Sequence, residues 1–313
     1  MALLFITTPS RDVSGWVREL KLLDPSLDVR VWPHVGNLDD ITFVAAWYHE
    51  PGVLKKFKNL KCMSSLGAGV DHLLSDPGLP PRVPLVRIVD VSLVQSMAEY
   101  VVWAVLDHYR RMKDYRSFQN KKEWPTEPLP LESRAQNFSI GFMGMGQLGA
   151  TIAQKILNLG FKVSGWSTTP KKISGVKSFS GEQERDLFLS QTQVLVCLLP
   201  LTEETEGILN LELFKKLPKG AYLINVARGK LLIEEDLLKA LDENWLSGAC
   251  LDVFCEEPLR ENHPLWKNPK ITITPHISSV TNPKTAAPQL LENYNRSFKN
   301  EPLLNRVDRK RGY

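Results

Sequence analysis

The stretch that most restricts the fold is FSIGFMGMGQLGATI, residues 138–152. An apolar run, SIGFM, passes into Gly144-Met145-Gly146-Gln147-Leu148-Gly149, and an amphipathic segment, ATIAQKILNLG, follows directly. Strand, glycine loop and helix in that order open a βαβ unit. The first glycine permits a tight turn, the second lets a pyrophosphate approach the backbone, and the third allows helix to pack closely on strand. The phosphates then lie at the helix N-terminus, where unpaired N–H groups favour anions. Three glycines in a turn need no ligand, but the flanks on both sides here point to dinucleotide binding.

The rest of the chain repeats this alternation. LLFIT (3–7), DVRVW (28–32), TFVAAW (42–47) and KCMSSL (61–66) read as short buried strands, with a helix over 13–23. After the glycine loop come FKVSGW, TQVLVCLL, AYLINVA, SGACLDVF and ITITPH. A long helix is expected over 93–115, with Tyr100, Val101, Ala104 and Val105 on its apolar side, and another over 282–300. The pattern predicts an α/β protein with two doubly wound, Rossmann-like parallel sheets, for which 313 residues leave room. The polar passage 121–137, with Pro125, Pro128 and Pro130, reads as a loop or linker and invites a domain boundary there.

Charge and cysteine usage exclude several classes. The net charge of +4 is spread along the chain and no basic stripe alternates with aromatics, so nucleic acid is not an expected partner. Arg306, Arg309, Lys310 and Arg311 read as a solvated basic tail. Cys62, Cys197, Cys250 and Cys255 lie in or beside apolar runs, lack CxxC spacing and read as buried free thiols in a reducing compartment, with no disulfide framework or metal site. MALLFITTPSRD lacks the basic start and apolar core of a signal peptide, and no apolar run approaches the ~18 residues of a membrane span. The expectation is a cytoplasmic protein with no membrane partner.

The second strand of the dinucleotide unit, FKVSGW, runs into STTPKK. An acid at this strand end grips a ribose 2′-hydroxyl and repels a 2′-phosphate. Here Ser167 stands in its place, followed by Thr168, Lys171 and Lys172, whose hydroxyls and charges suit a phosphate. NADP(H) is the preferred cofactor on this reading, with NAD(H) as the alternative. An ordinary polar turn with solvated lysines is the plainer one.

Three later strands end in ionisable residues. INVARGK places Arg228 just past one strand, CLDVFCEEPL places Glu257 after another, and TITPHIS places His276 after a third. Ligands of open α/β sheets bind at the carboxyl ends of strands, so all three are candidates for one crevice. A carbonyl receiving a hydride needs a proton donor, and histidine supplies one near neutral pH. A carboxylate beside it favours the imidazolium form and fixes the ring. Arginine suits a substrate carboxylate and polarises the adjacent carbonyl. Leu66-Gly67-Ala68-Gly69-Val70-Asp71 presents successive backbone N–H groups, either as a nest for a carboxylate or as a plain tight turn. Trp47, at a strand end, either closes a pocket over a small substrate or belongs to the core.

Gly144-x-Gly146-x-x-Gly149, LPLTEETEGILN, NVARG, LDVFCEEPL and TPHIS together resemble the D-isomer-specific 2-hydroxyacid dehydrogenases, in order and spacing over essentially the whole chain. Within that family the chain most resembles the glyoxylate/hydroxypyruvate reductases, on LGAGVD, AWYHEP, GWS and the terminal VDRKRGY. The resemblance implies that His276 is the general acid/base, Arg228 the binder of carboxylate and carbonyl, and Glu257 the partner of His276. Glu257 is chosen over Glu256 because it directly precedes Pro258-Leu259. It further implies that Asp252 meets the nicotinamide carboxamide, that Pro200 and Val226 line the cofactor cleft, and that the backbone of Gly69 and Val70 takes the substrate carboxylate. Residues 1–99 with 284–313 would form a flavodoxin-like substrate domain, and 100–283 an inserted cofactor domain carrying a dimerisation arm. A homodimer reducing small 2-keto acids with NADPH is expected. An NAD-linked dehydrogenase for a larger 2-hydroxy acid and a non-catalytic nucleotide-sensing scaffold are the alternatives. Thr168 departs from the arginine that the subgroup often carries directly after the serine, which removes a phosphate clamp.

Overall fold

The computed structural model describes residues 1–9, 11–129 and 135–313. The first part of the chain forms β1 (Ala2–Thr7), α1 (Ser14–Leu23), β2 (Asp28–Val31), β3 (Ile41–Trp47), β4 (Cys62–Ser65), α2 (Asp71–Leu74) and β5 (Leu85–Val86). Then follow α3 (Val91–Tyr109), α4 (Met112–Lys121), β6 (Ser139–Met143), α5 (Gln147–Asn158), β7 (Lys162–Ser167), β8 (Lys177–Ser180), α6 (Gly181–Leu189) and β9 (Val194–Cys197). The last are α7 (Leu211–Phe214), β10 (Ala221–Asn225), α8 (Glu234–Asp242), β11 (Leu246–Leu251), β12 (Ile271–Ile273) and α9 (Pro283–Lys299). Two compact units result, Met1–Leu93 with Val280–Tyr313 and, between them in sequence, Val94–Ser279. Each division falls a few residues before the boundary expected from the sequence.

The discontinuous unit holds a parallel sheet in the order β2-β1-β3-β4-β5. Alternate residues feed opposite faces, as a period of two requires. Leu3, Phe5, Phe43 and Ala45 pack against Trp16 and Leu20 of α1 and Ala287 and Leu290 of α9. Leu4, Ile6, Val44 and Ala46 pack against Val53, Leu54, Phe57 and Leu73 on the other face. Of the basic C-terminal residues, Arg306, Lys310 and Arg311 are exposed, as the sequence suggested, but Arg309 is half-buried. Val307 is buried and its N–H reaches the Leu85 carbonyl. The Arg309 guanidinium donates to the carbonyls of Pro80, Pro81 and Val83. Pro80 and Pro81 have no backbone N–H to offer, and the arginine fork supplies donors to three carbonyls of this turn.

The continuous unit holds a parallel sheet in the order β12-β11-β10-β9-β6-β7-β8. Counted from β6, this is the Rossmann order with one strand added at the far edge. Met143, Leu195, Cys197 and Leu223 face Phe188, Phe214, Leu237 and Leu241. Ile140, Phe142, Val196 and Ile224 face Val101, Ala104 and Val105 of α3 and Ile152 and Ile156 of α5.

Of the four cysteines expected to be buried, Cys62, Cys197 and Cys250 are, whereas Cys255 is exposed. Three further local features differ from the sequence reading. The helix expected over 93–115 breaks at Arg111, which takes a left-handed φ of 56° and starts α4. The Arg111 N–H bonds to the His108 carbonyl, and its side chain to Asp114 at 2.8 Å, so the break is capped without glycine or proline. β5 and β8, of 2 and 4 residues, carry too little apolar periodicity to be read from sequence. Of the expected loop 121–137, the part with Pro130 lies outside the described residues, and Ala135–Asn137 forms a single 3₁₀ turn.

Candidate active site

In the continuous unit, the expected residues follow successive strands along one edge of the sheet. His276 follows β12, Asp252 and Glu257 follow β11, Val226 and Arg228 follow β10, Pro200 follows β9, the glycine loop follows β6, and Ser167 ends β7. Parallel pairing in this order sets all of them at carboxyl ends.

The glycine loop is built as its three positions require. Gly144 has φ of 104°, and a Cβ there would lie 2.7 Å from the Leu198 carbonyl oxygen. A Cβ on Gly149 would come within 2.0 Å of the Gly144 carbonyl oxygen, so α5 rests directly on the loop. A Cβ on Gly146 would meet nothing within 4 Å. The open glycine is therefore the one at the N-cap of α5, where a phosphate group fits against bare backbone. Gln147 is exposed, Leu148 half-buried, and the Met145 side chain packs into the core against Gly165. Met145 and the buried Val226 therefore offer a ligand backbone rather than side chain.

The Gly144 N–H bonds to the Trp166 carbonyl, which sets Ser167 beside the loop. The Ser167 hydroxyl donates to the Thr169 carbonyl at 2.8 Å, and Thr168, Lys171 and Lys172 are exposed. Lys171 and Lys172 line a shallow groove with Ile173, Ser174, Val176 and Ser178. Pro200 lends its carbonyl to the Thr205 hydroxyl at 2.7 Å.

Arg228, Glu257 and His276 are brought together. Gly229 explains how: a Cβ there would lie 1.8 Å from the Phe254 carbonyl carbon, so the turn after β10 lies against the turn after β11. The Glu257 carboxylate accepts from the Phe254 N–H at 3.0 Å and meets His276 Nδ1 at 2.7 Å. Burial alone would push this carboxyl up, but the His276 ring, the Phe254 N–H and the charges of His276 and Arg228 outweigh it and hold it below its usual range. Glu256 instead pairs with Arg260 at 2.6 Å. The Arg228 guanidinium also donates to the Ala227 carbonyl at 2.7 Å.

His276 sits in the left-handed region, φ 54°, which is costly for a residue with a Cβ. Asp252 secures it. The His276 N–H bonds to the Asp252 carbonyl at 2.9 Å, while the fully buried Asp252 carboxylate accepts from the Thr274 hydroxyl and the N–H groups of Ile277 and Ser278. Thr274 is bonded in turn to Tyr100 at 2.5 Å. The family resemblance implies a part for Asp252 toward the cofactor but not this bracing of the histidine turn, which depends on three backbone-directed bonds that leave no trace in residue spacing.

In the discontinuous unit, Trp47, Gly69 and Val70 also lie at carboxyl strand ends. Ser65 shapes the loop, accepting from the Gly67 N–H at 3.2 Å and donating to the Gly69 carbonyl at 2.7 Å. The N–H groups of Ala68, Gly69 and Val70 have no acceptor among the described residues. Trp47 is half-buried: a Cβ on Gly67 would lie 2.6 Å from its indole, and the His72 ring lies 4.6 Å away. The segment after it is fixed by a buried pair, His49 Nε2 to Asp76 at 2.8 Å, and by the Gly52 N–H on the same carboxylate.

A glycine loop built for phosphates and an Arg–Glu–His set on one sheet edge define an α/β oxidoreductase architecture, and the family is shown by comparison. The model of the D-isomer specific 2-hydroxyacid dehydrogenase NAD binding domain matches residues 102–278, and the chain belongs to this family. It is 43% identical over 310 residues to a glyoxylate/hydroxypyruvate reductase A from Escherichia fergusonii, covering 97% of this chain and 98% of that protein. A D-isomer specific 2-hydroxyacid dehydrogenase from Xanthobacter autotrophicus Py2, solved with NADPH and MES, has a TM-score of 0.94 at 38% identity over 100% of this chain and 99% of that one. An NADPH-dependent glyoxylate/hydroxypyruvate reductase from Sinorhizobium meliloti, solved with NADP and sulfate, has a TM-score of 0.92 at 34% identity over 100% and 99%.

Proposed function

We propose that this chain is an NADPH-preferring reductase of small 2-keto acids, turning glyoxylate into glycolate and hydroxypyruvate into D-glycerate. The observation that carries the reading is the His276–Glu257 pair beside Arg228, on the same sheet edge as the open Gly146 turn. Similarity to reductases named for these two substrates supports the substrate class. The cofactor, when bound, supplies a hydride to the carbonyl carbon. Arg228 holds the substrate carboxylate and draws charge toward the carbonyl oxygen. As the carbon–oxygen π pair moves onto oxygen, His276 donates the proton that completes the hydroxyl. Glu257 occupies Nδ1, which directs Nε2 to the substrate and steadies the imidazolium that starts the step.

The continuous unit is the cofactor domain on this reading, with Gly144–Gly149, Pro200, Val226 and Asp252 toward the dinucleotide. Ser167, Thr168, Lys171 and Lys172 meet the 2′-phosphate. The discontinuous unit is the substrate domain on the same reading, with Trp47 and the backbone N–H groups of Gly69 and Val70 as its substrate-binding groups. The segment from α3 through α4 and the following arm serves a homodimer in the cytoplasm; exposed Trp103, Met112 and Trp124 on this stretch support the first part. Among the described residues no helix is long and apolar enough to cross a membrane. Steady-state oxidation of NADPH and NADH with glyoxylate, hydroxypyruvate and pyruvate is the test. Absence of turnover with every 2-keto acid overturns the proposal.

A further inference from the structure

Arg11 lies in the loop after β1, at the same carboxyl edge of the five-stranded sheet as Trp47 after β3 and the 66–70 loop after β4. Its guanidinium stands over the Trp47 ring, 4.6 Å from the centroid. The indole in turn fills the space beside Gly67. Burial lowers the Arg11 pKa, a sign of lost hydration, yet a guanidinium keeps its charge at any working pH. No described carboxylate pairs with it. The neighbouring Asp12 is taken by the Ser14 N–H and hydroxyl, at 2.8 and 2.7 Å.

A partly dehydrated cation that no described carboxylate pairs with therefore stands on an aromatic wall, at the same sheet edge as a loop with three N–H groups that have no acceptor among the described residues. A guanidinium lying on an indole keeps its in-plane N–H edge for a bidentate acceptor. We propose that Arg11 is a specificity residue that binds the second carboxylate of 2-keto dicarboxylic acids, extending the enzyme's range beyond monocarboxylates. The proposal rests on the 2-keto acid reductase reading. In the sequence TTPSRD carries no motif, and the position of Arg11 just after the first strand is its one signal.

The full chain is assayed with NADPH on glyoxylate, 2-oxosuccinate and 2-oxoglutarate, as wild type, Arg11→Met and Arg11→Lys. Methionine keeps an apolar stem on Trp47 and removes the charge. Wild type is expected to reduce at least one diacid, and Arg11→Met to raise its KM about tenfold or more, with glyoxylate changed less than about twofold and Arg11→Lys recovering part of the loss. An equal loss on glyoxylate, or no loss on the diacids, overturns the assignment. Calorimetric titration of 2-oxoglutarate into the same proteins reads binding without turnover. Weaker binding to Arg11→Met supports Arg11 even if the reductase reading fails, and equal or absent binding to wild type and variant rejects it.

Discussion

At residue 276 three demands meet: a left-handed backbone, a ring nitrogen held by Glu257, and a second nitrogen kept for chemistry. Replacing His276 by alanine is expected to lower kcat by about 10²–10⁴-fold, the usual worth of a positioned acid, with cofactor affinity retained. Unchanged turnover removes the histidine from the proton step, and fluorescence titration with NADPH checks the affinity. Ser167→Asp is expected to shift the kcat/KM ratio toward NADH, because a carboxylate repels a 2′-phosphate; an unaltered ratio places that phosphate elsewhere. His108 governs a different property. Its ring stacks on Tyr222 at 4.0 Å, and burial pushes its pKa down to about 4, against partial opposition from Asp107 and Asp114. The unfolded chain, with a histidine near 6.5, binds more protons between these values, so stability is complete above pH ~6.5 and falls by up to about 3 kcal/mol as pH drops toward 4. Urea midpoints at pH 7.5 and 5 should differ less in His108→Gln than in wild type. Equal pH slopes for the two proteins would refute this account.

The elements were legible where a strand is long, apolar and followed by a marked turn. β1, β3, β6, β9, β10 and β11 are such strands, and the residues after them carried the site into view. Arg228, Glu257 and His276 could be listed from sequence because each closes an apolar run; their meeting could not, because it depends on Gly229 lying against Phe254. The break at Arg111 and the strands β5 and β8 stayed hidden for the opposite reason: nothing in their side chains opposes a longer helix or announces a strand. The glycine loop allows a test at this scale. Gly149→Ala forces a Cβ against the Gly144 carbonyl and is expected to destabilise folding by roughly 1–3 kcal/mol. Gly146→Ala meets open space, so it should melt like wild type yet bind NADPH more weakly. Thermal melts and cofactor titrations on both variants separate a packing glycine from a ligand glycine; equal effects on melting would contradict the geometry.

For the molecule as a whole, the class of fold was readable because two series of buried strands alternate with helices, whereas the points of division lie inside continuous sequence. The C-terminal tail shows what composition misses. Its arginines looked solvated, but Val307 and Arg309 finish the edge of the five-stranded sheet, where Arg306 also forms a bridge with Val86. Ending the chain after Asn305 removes a buried valine worth about 1.5–3 kcal/mol, together with the arginine bonds, and should lower the melting temperature by several degrees. A melting temperature equal to wild type would return the tail to its solvated reading. The split make-up of this unit also gives the protein an order of assembly. Val94–Ser279 leaves the ribosome as one uninterrupted piece, but the five-stranded sheet waits for α9 and Val307, which follow that whole piece in the chain. During translation α1 alone covers the sheet's apolar face toward α9 until Ala286, Ala287 and Leu290 emerge, so the part of the nascent chain that precedes Val94 is the one in need of a chaperone.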